Sequence, residues 1–127
     1  MTTSLKTLKA SQQQPRMQRQ NRELHANGVD EVNVPLLAAE LAGALSGEVR
    51  FDKGSRALYS TDGSNYRMVP IGVVVPKNKS DMIRTVDLCR KHGAPLLSRG
   101  GGTSLAGQCC NVAVVMDCSK YLRTVLD

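Results

Sequence analysis

Read for its alternation of apolar and polar positions, the chain shows no sustained periodicity over residues 1 to about 33 and changes character at Pro35. Leu36, Leu37, Ala38, Ala39, Leu41, Ala44 and Leu45 then form a compact helix signal that Gly47 stops. Gly43 weakens that helix, because glycine costs about 1 kcal/mol relative to alanine in a helix interior. Val49 and Phe51 alternate with Glu48, Arg50 and Asp52, the pattern of a short strand with one buried face. From Lys53 to Arg67 the segment KGSRALYSTDGSNYR is rich in turn formers and reads as an ordered connector anchored by Tyr59 and Tyr66.

The run Ile71 to Val75, ended by Pro76, is continuously apolar and predicts a strand covered on both faces, with parallel neighbours. Ser80 is placed to cap the next helix, with Asp81 in its first turn, where the helix dipole favours negative charge. Met82, Ile83, Val86 and Cys89 share one face of it, Asp87 and Lys91 form an i,i+4 pair outside, and Gly93 follows as the left-handed residue. Ala94 to Ser98 give a second short strand, so residues 71–98 spell strand, helix, strand, one right-handed crossover unit. Val112 to Met116, ending at Asp117, form a further strand, and Arg123 to Asp127 look like another just beginning. The fold class expected is α/β (α+β).

Composition changes this picture little. With 127 residues there is room for one modest domain, and with no Trp, one Phe and three Tyr its core must rest on aliphatic side chains. The net charge of +6 is concentrated at the start: Lys6, Lys9, Arg16, Arg19 and Arg22 meet no acid before Glu23. The remaining 12 of the 17 cations face all 11 acids. A nucleic-acid module would set cations on a folded face with aromatic stacking groups, and neither is present, so that class is set aside. The acid-free start is compatible with a transit peptide, but its Gln12 to Gln14 stretch favours a disordered tail. No apolar run approaches the ~20 residues that span a bilayer. Cys89, Cys109, Cys110 and Cys118 lack C-x-x-C spacing and only His25 and His92 could assist them, so no metal site is expected. They read as reduced thiols of a cytosolic protein, with vicinal Cys109 and Cys110 either simply packed or redox-active.

The chemistry lies in Arg99-Gly100-Gly101-Gly102-Thr103-Ser104-Leu105-Ala106-Gly107-Gln108. Three successive glycines let a backbone take positive φ angles and approach a ligand closely, and successive inward N–H groups make an anion-binding nest that Thr103 and Ser104 hydroxyls can augment. Pyrophosphate is the anion that suits such a cradle. The dinucleotide fingerprint G-x-G-x-x-G fails, with Leu105 at its last glycine and no helix to follow. The P-loop also fails, because Gln108 and Cys109 replace its lysine and hydroxyl residue. The plainer reading is a tight turn between strands.

Taken together, VVVP before a capped helix, HGAPLLSRGGGTSLAGQ and a strand ending in MDCSKYL resemble the FAD-linked oxidase family, of the vanillyl-alcohol oxidase and p-cresol methylhydroxylase type. Nearest are its D-lactate dehydrogenase-like and glycolate oxidase-like members, and YSTDGSNYR resembles the lead-in of those that carry a C-terminal iron–sulfur region. The resemblance covers about residues 48–127. It implies the first subdomain of the flavin domain: a short parallel βαβ unit and a glycine-rich pyrophosphate loop, incomplete at the C-terminus. The organisation expected is a basic tail at 1–33, a helix, strand and connector at 34–66, and the N-terminal part of the FAD-binding domain at 67–127.

The resemblance carries over Gly100, Gly101, Gly102, Thr103, Ser104 and Gly107 as FAD contacts, with Gln108 and Arg99 beside them. Arg99 is alternatively structural, paired with a carboxylate or with backbone carbonyls. Pro76 matches a position against the adenine side of the cofactor, or simply ends its strand. Relatives that tether flavin covalently have histidine where Thr103 stands, so FAD is expected to be held non-covalently. His92 reads as a favourable helix-terminal residue.

By the same resemblance, the full-length protein oxidises a 2-hydroxy acid such as D-lactate or glycolate and passes the electrons to another acceptor. It does so in the cytoplasm or at the periphery of the inner membrane, with any iron–sulfur cluster beyond Asp127. The chain alone is expected to be inactive and to bind FAD weakly. The alternatives are a small non-catalytic nucleotide- or anion-binding module using the same loop, and a nucleic-acid or membrane-surface protein working through the tail.

Overall fold

The computed structural model describes residues 31–126, and the reading of residues 1–30 as a basic tail lies outside the described residues. Helix α1, Val34–Ala44, begins where the Asn33 side chain accepts the Leu36 N–H at 3.2 Å. Pro35 stands in the first turn, where its missing N–H leaves no bond unmade. Leu37 and Leu41, four residues apart, are its buried pair. Past Gly47 the chain enters β1, Glu48–Arg50, which pairs antiparallel with β2, Gly72–Val75. Two glycines permit this contact: a Cβ at Gly47 would collide with the Val75 carbonyl oxygen, and one at Gly72 with the Phe51 ring. As an edge strand β1 is half-buried throughout, rather than alternating between a buried and an open face.

The segment expected to be a connector contains a six-residue helix, α2, Lys53–Leu58. Its Gly54 and Ser55 are poor helix formers and hide it from propensity. Two bonds hold it instead: Asp52 accepts the Ser55 N–H at 2.9 Å, and Arg56 Nε donates to the Pro70 carbonyl at 2.8 Å. Residues 61–67 then fold back on themselves through a bridge between Thr61 and Arg67.

All four residues of β2 are buried, and fully buried Pro76 follows them. Helix α3, Lys79–Lys91, is capped by Asn78, which accepts the Asp81 N–H at 2.8 Å; Ser80 lies inside the first turn instead of capping. The face turned inward also differs from the expectation. Asp81, Thr85 and Cys89 are buried, while Ile83 and Val86 are 52% and 46% exposed. Asp81 sets this rotation: its carboxylate accepts the Ser46 N–H at 3.0 Å, the Ser46 hydroxyl at 2.9 Å and the Lys77 N–H at 3.0 Å. Lys91 does not pair with Asp87. It reaches Glu40 on α1 at 3.1 Å, and His92 meets the same carboxylate at 2.7 Å. Gly93, at φ +66°, ends the helix as expected, with the Gly93 N–H on Arg90 and the Ala94 N–H on Cys89, the two bonds of a Schellman motif.

Strands β3, Leu96–Arg99, and β4, Val114–Asp117, complete a four-stranded sheet of order β1-β2-β4-β3. The strand–helix–strand unit forms, but β2 and β3 are not neighbours: β4 lies between them, parallel to both, with Val114 opposite Gly72 on one side and Leu96 on the other. Of the two neighbours of β2, one is parallel and one antiparallel. Val73, Val75 and Val115 form the core on which Tyr59 and Leu97 pack. The strand expected to begin at Arg123 is absent from the described residues 122–126, where Val125 and Leu126 stand 90% and 85% exposed with no ladder to join. No described helix is long and apolar enough to cross a membrane.

This packing makes two substitutions costly. Gly72→Ala drives a methyl group into the Phe51 ring and lowers unfolding free energy by about 1–3 kcal/mol in urea titrations. Asp81→Ala leaves the Ser46 and Lys77 donors without their acceptor and costs about 2–4 kcal/mol. Burial opposes ionisation of Asp81, yet the Lys77 and Ser46 donors outweigh it and hold the carboxyl below its ordinary value. Its contribution is therefore complete above the unfolded-state pKa of about 4 and is lost as pH falls through the lower folded value. Melting curves across acidic pH should show Asp81→Ala losing less stability on acidification than the wild type.

Candidate cofactor-binding site

The connection from β3 to β4, residues 100–113, joins two parallel neighbours without a helix, so the glycine loop is a strand-to-strand segment as expected. Because β2, β4 and β3 are parallel, their carboxyl ends share one edge of the sheet. Pro76, Asp117 and Arg99 mark that edge. Open α/β sheets bind ligands outside this edge.

The four glycines of the loop divide into two kinds. Gly102, at φ +69°, and Gly107, at φ +80°, need glycine for backbone reasons. They are also crowded: a Cβ at Gly102 would strike the Arg99 guanidinium, and one at Gly107 would stand 2.8 Å from the Tyr66 ring. Gly100 and Gly101 do not take positive φ, which corrects the expectation for three successive glycines. A Cβ at Gly100 would meet nothing within 4 Å, and at Gly101 only the Thr103 methyl at 3.7 Å. Packing among the described residues gives no reason for glycine at these two positions. Among the described residues, moreover, none accepts a hydrogen bond from the backbone N–H groups of Gly100 through Gln108.

Arg99 holds the base of the loop. Its Nη1 donates to the Tyr59 carbonyl at 3.3 Å and the Cys109 carbonyl at 3.2 Å, and its guanidinium stacks over the Tyr59 ring at 5.2 Å. Here the structural alternative for Arg99 describes the geometry. The Tyr59 hydroxyl donates to Asp117, whose other oxygen accepts the Ser119 N–H at 2.8 Å and hydroxyl at 2.6 Å. Burial, and then that bond to Asp117, push the Tyr59 phenol up to about 12, so it remains a donor at neutral pH. Burial disfavours the Asp117 anion, but the Ser119 and Tyr59 donors prevail and its carboxyl stays below the usual range.

Thr103 and Gln108 are exposed on the loop, and Ser104 is half-buried. Pro76 closes β2 and is fully buried; the next residue, Lys77, reaches a cavity of about 270 Å³ that Lys79 and Tyr121 also line. Lys77 and Lys120 lie over the Tyr121 ring at 5.3 and 5.1 Å. His92 is engaged with Glu40 at the far end of α3, and all four cysteines are free thiols.

Sequence reasoning missed the 61–67 hairpin as part of this site. The Gly63 N–H donates to the Gly102 carbonyl at 2.8 Å, and Asp62 accepts the Cys109 N–H at 3.3 Å. The Ser64 hydroxyl first, with the Ser64 and Cys109 N–H groups, holds the Asp62 carboxyl below its ordinary value. The Asp62-Gly63 turn dipeptide was the available signal, though it says nothing about what the turn touches.

Part of this chain is similar to known proteins. Residues 70–127 match the FAD binding domain family. Glycolate oxidase subunit GlcD of Bacillus subtilis is 35% identical over 69 residues, 52% of this chain and 15% of that protein. D-2-hydroxyglutarate dehydrogenase of Pseudomonas putida is 31% identical over 84 residues, 64% of this chain and 8% of its own length. Mitochondrial D-lactate dehydrogenase [cytochrome] of Kluyveromyces lactis is 29% identical over 79 residues, 59% of this chain and 14% of that protein. The chain therefore spans a small part of the curated relatives it matches. Among solved structures, wild-type Physcomitrella patens BBE-like 1 superposes with a TM-score of 0.54 at 20% identity, over 64% of this chain and 18% of the other, a likeness of fold. The glycine loop, the strands on either side of it and the helix before it all lie within residues 70–127, the segment that matches the FAD binding domain family.

Proposed function

We propose that this chain binds FAD non-covalently, with the glycine loop gripping the pyrophosphate. The observation that carries the reading is the run of backbone N–H groups from Gly100 to Gln108 that find no acceptor among the described residues, beside two glycines that none of the described residues crowds. A diphosphate supplies acceptors for such a run and can approach a backbone only where side chains are absent. The residues present thus fit the cofactor. Gly100, Gly101, Gly102, Thr103, Ser104 and Gly107 hold the pyrophosphate, with Gln108 at the rim; Arg99 acts from beneath by fixing Gly102. The cavity beside Pro76, with Lys77 and Lys79, lies on the same sheet edge and takes the adenosine end. Thr103 offers no nucleophile of the kind that tethers flavin through histidine.

When bound, FAD supplies an isoalloxazine ring able to accept a hydride from a substrate carbon. The names of the matched relatives support a 2-hydroxy acid, such as glycolate, D-lactate or D-2-hydroxyglutarate, as substrate of the whole protein. This chain's contribution is to bind and orient the cofactor. The groups that orient substrate are assigned to the part of the relatives that the chain does not match.

Titration of the purified chain with FAD, followed by flavin fluorescence, tests the reading. Saturable binding is expected, and Gly101→Val should weaken it by about tenfold or more, since losing a charge-assisted hydrogen bond costs about 1.5–3 kcal/mol. The melting temperature of that variant should stay close to wild type, because a Cβ at Gly101 meets only the Thr103 methyl, at an ordinary contact distance of 3.7 Å. Absence of saturable binding by the wild type returns the loop to a plain turn between strands.

A further inference from the structure

The hairpin 61–67 touches the glycine loop at both of its positive-φ glycines and at its exit. Gly63 donates to the Gly102 carbonyl at 2.8 Å, and the Tyr66 ring packs against Gly107. Asp62 accepts the Cys109 N–H at 3.3 Å, and the buried Cys110 thiol lies 4.0 Å from the Tyr66 carbonyl. A Cβ at Gly63 would stand 3.1 Å from the carbonyl oxygens of both Thr103 and Ser104. Three successive carbonyls, of Gly102, Thr103 and Ser104, are therefore drawn up against the hairpin.

The peptide bonds of the described chain are trans, and in a trans peptide the N–H points opposite to the C=O of the residue before it. The Gly102 carbonyl, which accepts the Gly63 N–H, thus sends the Thr103 N–H away from the hairpin. Successive N–H groups aimed to one side form an anion-binding concavity. We propose that the hairpin fixes the peptide planes of the glycine loop so that its N–H groups, that of Thr103 first, face the pyrophosphate, with Asp62 as its central positioning residue. The inference rests on the reading of the loop as the FAD pyrophosphate site. It assigns a main donor to Thr103, directly after the glycines, while Gly100 and Gly101 clear the approach.

Asp62 suits this role because its charge is absorbed behind the loop. One carboxylate oxygen accepts the Ser64 N–H at 2.8 Å and the Ser64 hydroxyl, and the other takes the Cys109 N–H. The anion that braces the loop is thereby held on the side away from the proposed diphosphate. An unsupported loop would be free to turn its peptide planes, and the cost of ordering them would then fall on ligand binding.

The test uses the full chain carrying Asp62→Ala or Asp62→Asn, with FAD affinity and thiol labelling read separately. Labelling of Cys110, located by peptide mass spectrometry, reports whether the hairpin still covers the loop exit. Cys89, buried in α3, reports global unfolding. Asp62→Ala should weaken FAD about tenfold and speed Cys110 labelling while Cys89 stays protected; Asp62→Asn, which keeps one acceptor oxygen, should lie between. An Asp62→Ala chain that binds FAD as tightly as wild type, or whose Cys110 labels no faster, overturns the proposal. If Cys89 also becomes reactive, Gly63→Ala decides, since it presses on the Thr103 and Ser104 carbonyls and leaves the Asp62 bonds in place: weaker FAD binding supports the proposal, and unchanged binding overturns it. A wild type that binds no FAD defeats the functional reading, whereas the Cys110 labelling rate still reports on whether Asp62 holds the loop.

Discussion

Placing β4 between β2 and β3, parallel to both, constrains everything at the working end of the molecule. It lines up three strand carboxyl ends on one edge, and it obliges the chain leaving Arg99 to run back the length of the sheet before re-entering as β4. Such a return is normally made by a helix, which satisfies its own backbone. Here residues 100–113 make it as a loop, so their polar groups turn to distant partners, to water or to a ligand. A loop built this way offers donors that a helical crossover would have consumed.

Those donors are useful only if the loop keeps its shape, and the core supplies that stiffness through Tyr59. Its ring packs on Val73, Val75 and Val115, its hydroxyl is fixed by Asp117 at the end of β4, and its face carries the Arg99 guanidinium. Arg99 then ties the two ends of the loop together through the Cys109 carbonyl, and its bulk leaves room only for glycine at 102. One interaction chain runs from the aliphatic core to the glycine whose positive φ turns the loop. The positive charge of Arg99 is largely spent inside this chain, so the proposed anion site would rely on backbone dipoles more than on this cation.

The parts legible in the sequence were those where one local rule dominates. The apolar run of β2 read as a strand covered on both faces, that of β4 as a strand, and Gly93 after two cations marked the end of α3. Where a side chain answers to something far away, local rules failed. α3 turns Asp81 rather than Ile83 inward because Ser46, 35 positions earlier, supplies the donors that make burial of a carboxylate tolerable. Asn78 and Ser80 are comparable caps on paper, and the buried Asp81 network decided between them. α2 escaped notice because Asp52 and Arg56, not propensity, hold it. At the site, the glycine loop was plain to read, but its support by Asp62 and Gly63 crosses about 40 residues of intervening chain and leaves no periodic trace.

That separation bears on what counts as the site. The family match begins at residue 70, and a division of the chain near residue 67 puts the glycine loop on one side and the hairpin on the other. The contacts ignore this division: Gly63 on Gly102, Tyr66 on Gly107 and Asp62 on Cys109 all cross it. Gly102 and Gly107 therefore answer to Arg99 and Tyr66, inside the protein, while Gly100 and Gly101 are crowded by none of the described residues. Two kinds of glycine in one loop are what a binding loop requires. Some must let the backbone turn against its support, and others must leave space on the opposite side for something that is not protein.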